Sequence, residues 1–143
     1  MILAEHKGKE LLKSYGVPIP QGEVAFTPEG AARLAERLGG RVVLKAQVLA
    51  GRRGEAGGVR LAETPQRAQH FGSQMLGREL LGHSVEAILV EEWVEATKEL
   101  YLSFTVDALR GRSLVLFSPE GGMDIEELAQ EYPQAIHRVY LAS

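Results

Sequence analysis

The sequence predicts an α+β fold, with mixed or antiparallel sheets and helices packed on one face. Three observations point there. The first half reads strand–helix–strand–strand–helix–strand, an order that suits helices laid over a sheet. Both of those helices open on one device, Thr27-Pro28 and Thr64-Pro65, with threonine as cap and proline in the first turn. After Gly77 the pattern shifts to short strand-like runs, two of them joined by a turn at Arg110-Gly111-Arg112, as in a hairpin. The chain has 143 residues, 45% apolar and 24% charged. That composition is globular and excludes disordered and collagen-like classes. A domain of this length buries roughly 68–70% of its unfolded surface.

The elements follow in order. A helix is expected from about Ala4 to Tyr15, with Leu3, Leu11, Leu12 and Tyr15 on one face and Gly16 as its stop. Val17-Pro18-Ile19-Pro20 must be extended, because each proline pushes its predecessor away from helix. Glu23–Phe26 is a short strand. The Thr27-Pro28 helix carries Ala31, Leu34, Ala35 and Leu38 at helical spacing and ends at Gly39-Gly40. Arg41–Val48 is an apolar strand, followed by a glycine-dense stretch from Ala50 to Gly58 and a strand at Val59–Ala62. The Thr64-Pro65 helix shows an apolar stripe of Ala68, Phe71 and Met75. Strands are expected at Glu86–Val94, Glu99–Asp107 and Ser113–Ser118. A second glycine loop, Pro119-Glu120-Gly121-Gly122, opens an acidic helix from about Met123 to Glu131, since carboxylates suit a helix N-terminus. Pro133 breaks that helix, and Ala135–Leu141 is the last strand.

Charge and composition narrow the function classes. Sixteen basic and 19 acidic residues give a net charge of −3, too mild for a nucleic-acid or membrane binder. There is no cysteine, so disulfides, thiolate metal sites and thiol nucleophiles are excluded. No run of about 18 apolar residues exists to span a membrane. Glu5, His6 and Lys7 stand where a secretory signal would need its apolar centre, and the expected location is the cytoplasm. His6, His70, His83 and His137 are too scattered for a metal site.

Two constellations carry chemistry. Lys45 lies within an apolar strand, and alternation turns it away from Leu44 and Ala46. A buried ammonium needs a partner, and a phosphate is one that suits a compact point charge. Gly51, Gly54, Gly57 and Gly58 follow, with Arg52 and Arg53 among them. Glycines let backbone approach an anion, and guanidinium groups match phosphate oxygens. The spacing is neither a Walker A motif nor the dinucleotide-fold fingerprint. The same residues also fit a solvated hairpin loop. The second constellation is Ile88-Leu89-Val90-Glu91-Glu92-Trp93-Val94, running on to Glu99-Leu100-Tyr101. An apolar strand that runs into carboxylates can be a hinge between lobes, with Glu99 accepting from ribose hydroxyls and Trp93 packing on a base. It fits a solvated acidic turn equally.

Taken together, the ordered series resembles the N-terminal region of the succinyl-CoA synthetase β subunit, an ATP-grasp protein with malate–CoA ligases as close relatives. The resemblance rests on Lys9-Glu10-Leu11-Leu12, Tyr15-Gly16-Val17-Pro18, Val43-Leu44-Lys45-Ala46-Gln47-Val48, Ala56-Gly57-Gly58-Val59, Lys98-Glu99-Leu100-Tyr101, Glu120-Gly121-Gly122-Met123 and Ala135-Ile136-His137-Arg138. It covers nearly the whole chain. It implies that Lys45 contacts nucleotide phosphates and that Arg52, Arg53 and Gly54 belong to a loop covering them. Glu91 would begin the hinge that holds the base, Val94 would be a further base contact, and Glu99 would hold the ribose. The implied ligand is ATP or GTP with Mg²⁺, whose ligands are expected outside this chain.

The implied activity joins a dicarboxylic acid to coenzyme A, as in the tricarboxylic acid cycle, through a phosphohistidine on a partner α subunit. The implied division is residues 1–20 as a helix and extended segment of the second lobe, 21–98 as the nucleotide-binding lobe, and 99–143 as the beginning of an incomplete second lobe. The isolated chain is accordingly expected to be inactive, completed by the α subunit or the remainder of the β subunit. A homodimer is also expected to be open to it. Three positions depart from the family loop. Leu49 replaces a histidine, Arg52 a glycine and Glu55 a lysine. Those changes favour an alternative, a free-standing non-catalytic binding or regulatory module.

Overall fold

The computed structural model describes residues 3–122 and 125–141. The chain separates into two compact units, Met1–Val94 and Glu95–Ser143.

The first unit is built on an antiparallel sheet. Its elements are α1 (Glu5–Ser14), β1 (Gly22–Ala25), α2 (Pro28–Arg37), β2 (Val42–Ala46), β3 (Val59–Ala62), α3 (Pro65–Met75), β4 (Glu79–Leu80), β5 (His83–Ser84) and β6 (Ile88–Glu92). The sheet order is β1-β6-β2-β3, and every neighbouring pair runs antiparallel. Both Thr-Pro signals are helix caps as the sequence predicts. The Thr27 hydroxyl accepts from the Gly30 amide at 3.0 Å and the Thr64 hydroxyl from the Arg67 amide at 3.2 Å, satisfying donors that a first turn leaves open.

α2 and α3 cover one face of this sheet. Ala31, Ala35, Ala68 and Met75 from the helices meet Val42, Leu44, Ala46, Ile88 and Val90 from the strands in one buried core. The helices approach closely because small residues line their contact. A Cβ on Gly72 would lie 3.2 Å from Pro28 Cα. β2 alternates buried and half-buried, so Lys45 points to the face opposite the helices. α1 meets that opposite face and buries none of its own residues. Leu11, Leu12 and Tyr15, the expected apolar face of α1, are exposed.

The β4–β5 hairpin is absent from the sequence reading. Its turn is Leu81-Gly82, with φ 53° and 78°. A leucine in the left-handed region hides the usual Asn-Gly signal of such a turn.

The second unit contains β7 (Tyr101–Asp107), β8 (Arg112–Ser118), α4 (Ile125–Glu131), a 3-10 turn at Pro133–Ala135 and β9 (His137–Tyr140). The sheet order is β7-β8-β9, again antiparallel. The expected start of the acidic helix at Met123 lies outside the described residues. Asp107 organises the β7–β8 turn. Its Oδ1 accepts from the Leu109 and Arg110 amides, both at 3.1 Å, and its Oδ2 from the Tyr140 hydroxyl at 2.8 Å and Arg110 at 3.0 Å. Tyr140 and Arg110 together hold its carboxyl down to about 2. Leu102 and Phe104 of β7, paired with Phe117 and Val115 of β8, share one sheet face with Val139 of β9. Leu102, Phe104, Phe117 and Val139 are exposed.

Candidate functional site

The open face of the first unit carries a knot of five charged side chains. Lys45 projects from β2, Glu91 from the adjacent β6, Arg53 from the glycine loop, and Glu5 and Lys9 from α1. Glu5 and Lys9 are one turn apart on the helix, the spacing at which opposite charges meet. Lys45 Nζ lies 3.0 Å from Glu5 Oε1 and 2.8 Å from Glu91 Oε2. Lys9 Nζ pairs with Glu5 Oε1 at 3.1 Å and with Glu91 Oε1. Arg53 pairs with Glu5 Oε2 and donates to the Ala46 carbonyl at 3.0 Å. His6 adds its amide to Gln47 Oε1 at 3.1 Å.

Burial makes these pairs matter. Glu91 is only 2% exposed. Burial pushes its carboxyl up, yet hydrogen bonds from Lys45 and Lys9 outweigh this and hold it below its usual value. Lys9 is pushed down by burial and by the neighbouring charge of Lys45, against its bond to Glu91. Burial also pushes Arg53 down, opposed by the charge of Glu91. The knot holds three cations and two carboxylates. It is a cationic surface partly neutralised from within.

The glycine loop spans residues 47–58 between β2 and β3. It is folded on itself rather than splayed. The Ala56 amide donates to the Arg52 carbonyl at 3.3 Å, Gly57 to Gly54 at 3.0 Å and Gly58 to Arg53 at 2.7 Å. Its base is tight, since a Cβ on Gly58 would sit 2.6 Å from Leu80 Cδ2 and 2.8 Å from the Arg53 carbonyl oxygen. Arg52 has φ 56°, a conformation that side chains rarely adopt. That accounts for the glycine expected there from the resemblance.

A family model described as an ATP-grasp domain matches residues 2–143. The chain belongs to the ATP-grasp family. It is 49% identical over 141 residues to the Thermus thermophilus protein named succinate–CoA ligase, GDP-forming, subunit beta. It is 50% identical over 141 residues to the Rubrobacter xylanophilus succinate–CoA ligase, ADP-forming, subunit beta. Each match covers 99% of this chain and 37% of the relative. The chain thus spans little more than a third of the length of these curated relatives. Among solved structures it is similar to the dinucleotide forming acetyl-coenzyme A synthetase 1 of Ca. Korarchaeum cryptofilum in complex with coenzyme A, Ca-AMPCP and HgCl+. There the TM-score is 0.75 at 25% identity, over 96% of this chain and 59% of that one. The Thermotoga maritima phosphoribosylamine–glycine ligase shares the fold, with TM-score 0.59 at 21% identity, over 80% of this chain and 28% of that one.

Within this ATP-grasp chain the expected site residues fall in four places. Lys45, Arg53 and Glu91 converge in the knot. Arg52 and Gly54 lie in the exposed loop beside it, as does Glu55. Val94 is exposed just past β6. Its preceding residues are already engaged, for the Glu92 amide donates to the Gln21 carbonyl at 2.8 Å and the Trp93 amide to Arg41 at 3.2 Å. The Trp93 ring is taken by the Arg41 guanidinium, 5.2 Å from its centroid. Glu99 belongs to the second unit, where its carboxylate faces Gly122 and its backbone faces Gly121. Glu5 and Lys9 were not expected as site residues. Their i,i+4 spacing was the available signal, and what it lacked was the knowledge that α1 docks on the Lys45 face.

Among the described residues no three His, Cys, Asp or Glu side chains are placed to hold a metal ion. The donor set does fit an anion. No helix of the described residues is long and apolar enough to cross a membrane.

Proposed function

We propose that the chain is the nucleotide-binding portion of an acid–CoA ligase β subunit and that it takes ATP or GTP by the phosphates. The observation that carries this reading is the convergence of Lys45 and Arg53 on one carboxylate. Two cations from different elements, Lys45 24% and Arg53 20% exposed, bracket a space that already accommodates anionic oxygens. A phosphate group offers the same atoms with more charge. Arg52 and Gly54 extend the loop side of this site. Glu91 positions Lys45 by its ion pair, Val94 is a base contact and Glu99 a ribose contact.

The similarity to proteins named as β subunits of GDP-forming and ADP-forming succinate–CoA ligases supports a nucleoside triphosphate as ligand. It leaves both bases open. Their names as β subunits also support a partner α subunit, to which this reading assigns the histidine that receives the phosphoryl group. This chain's own share is to bind and orient the phosphates. It shields their charge with Lys45 and Arg53, which would otherwise repel an incoming nucleophile.

The test is calorimetric titration with ATP, ADP and GTP, with and without Mg²⁺. Weak binding is expected for the parent chain. Lys45→Ala, with its fold checked by circular dichroism, should bind at least about tenfold more weakly, because a hydrogen bond to a charged group contributes about 1.5–3 kcal/mol. Equal affinity in the two proteins would overturn the assigned role of Lys45.

A further inference from the structure

The cations of the proposed phosphate site are already paired. They are held by Glu5 of α1. One carboxylate bridges them, with Oε1 at 3.0 Å from Lys45 Nζ and Oε2 on the Arg53 guanidinium. This is the arrangement in which a phosphate would present two oxygens to an ammonium and a guanidinium. The carboxylate and a phosphate cannot share these donors, since both are anionic and the space is only partly solvated.

The way α1 is attached bears on this. It buries no residue against the sheet. Its hydrogen bonds and ion pairs to the sheet and loop run from Glu5 to Lys45 and Arg53, from His6 to Gln47, and from Lys9 to Glu91. Leu11 and Leu12, the large apolar side chains of its middle, are exposed. The helix is thus held by charge rather than by apolar packing, so an anion that takes over Lys45 and Arg53 removes two of its attachments. It lacks the apolar anchorage that keeps α2 and α3 in place.

We infer that Glu5 is an internal competitor for the phosphate site and that α1 is a latch released as nucleotide binds. This rests on the reading of Lys45 and Arg53 as phosphate ligands. The latch makes apparent affinity the product of intrinsic affinity and the fraction of molecules with Glu5 displaced. By linkage, nucleotide must favour the undocked helix as strongly as docking disfavours nucleotide.

The experiment compares the parent, Glu5→Gln and Glu10→Gln. Glu10 sits on the same helix and pairs with Lys7 at 2.9 Å rather than with Lys45 or Arg53, so it controls for the loss of one negative charge. ATP affinity is measured by calorimetry, and amide hydrogen exchange of residues 6–14 is followed in the parent with and without ATP. The expected result is about tenfold tighter binding by Glu5→Gln, unchanged binding by Glu10→Gln, and faster exchange of α1 in the parent when ATP is added. Binding by Glu5→Gln that is equal to or weaker than the parent overturns the latch and leaves the nucleotide site standing. No binding by either protein at millimolar ATP overturns the site, and the latch with it. Should Glu5→Gln fail to fold, the parent's exchange decides. Slower or unchanged α1 exchange on binding overturns the latch.

Discussion

Glu91 shows how one side chain ties the site to stability. It is buried in β6 and accepts from two lysines. Removing the carboxylate in Glu91→Ala would leave Lys9 and Lys45 half-buried without their shared partner. The expected cost is about 3 kcal/mol, in the range found when one member of a buried ion pair is deleted, and urea denaturation would read it. Because its folded value lies below the ordinary 4.5, Glu91 contributes stability that is complete above pH 4.5. That contribution is lost as pH falls through the lower folded value. Parent stability should therefore drop on acidification below pH 4.5, and Glu91→Gln should show a shallower drop. Asp107 adds a similar loss in the second unit between 3.8 and about 2. At this scale the sequence was informative about Lys45. Strand alternation alone turned it away from Leu44 and Ala46. The role of Glu91 was less legible, because its burial depends on β6 lying beside β2, a pairing set by distant residues.

Helices and strands divide into those held by apolar packing and those held by charge. α2 and α3 are of the first kind. Their shared seam is lined by Ala31, Ala35, Ala68 and Gly72, where Gly72 leaves only 3.2 Å between an added Cβ and Pro28 Cα. Gly72→Leu should overpack this seam and destabilise the chain by about 1–3 kcal/mol, read as a lowered Tm with no change in nucleotide binding per folded molecule. α1 is of the second kind. The periodicity of Leu3, Leu11, Leu12 and Tyr15 marked it correctly as a helix, but those residues do not meet the core. Its docking is polar. Hydrophobic spacing reports an amphipathic face without saying whether anything covers it. The Thr-Pro caps were legible because a cap is a local hydrogen bond. The β4–β5 hairpin was not, because Leu81 takes a left-handed turn position that its residue type does not announce.

Over the whole molecule, each unit presents one face that it does not cover with apolar packing of its own. In the first unit it is the charged face of β2 and β6, which only the polar docking of α1 covers. In the second it is the apolar sheet face of Leu102, Phe104, Phe117 and Val139, with Phe104 72% exposed. Contiguous apolar surface of this kind favours association. The parent should bind a hydrophobic dye and show concentration-dependent mass in sedimentation. Phe104→Ser should reduce both while leaving the circular dichroism unchanged. A parent that stays monomeric with no dye signal would count against association through this face, and against the homodimer expected from the sequence. The α+β class, the capped helices and the family were carried by the sequence itself, which left the sheets mixed or antiparallel. They depend on periodicity, turn chemistry and an ordered run of motifs, which are properties of neighbours along the chain. The partner of Lys45 was decided only in three dimensions. Glu5 lies 40 positions away, and no local pattern can state which distant carboxylate folding will bring to a buried cation.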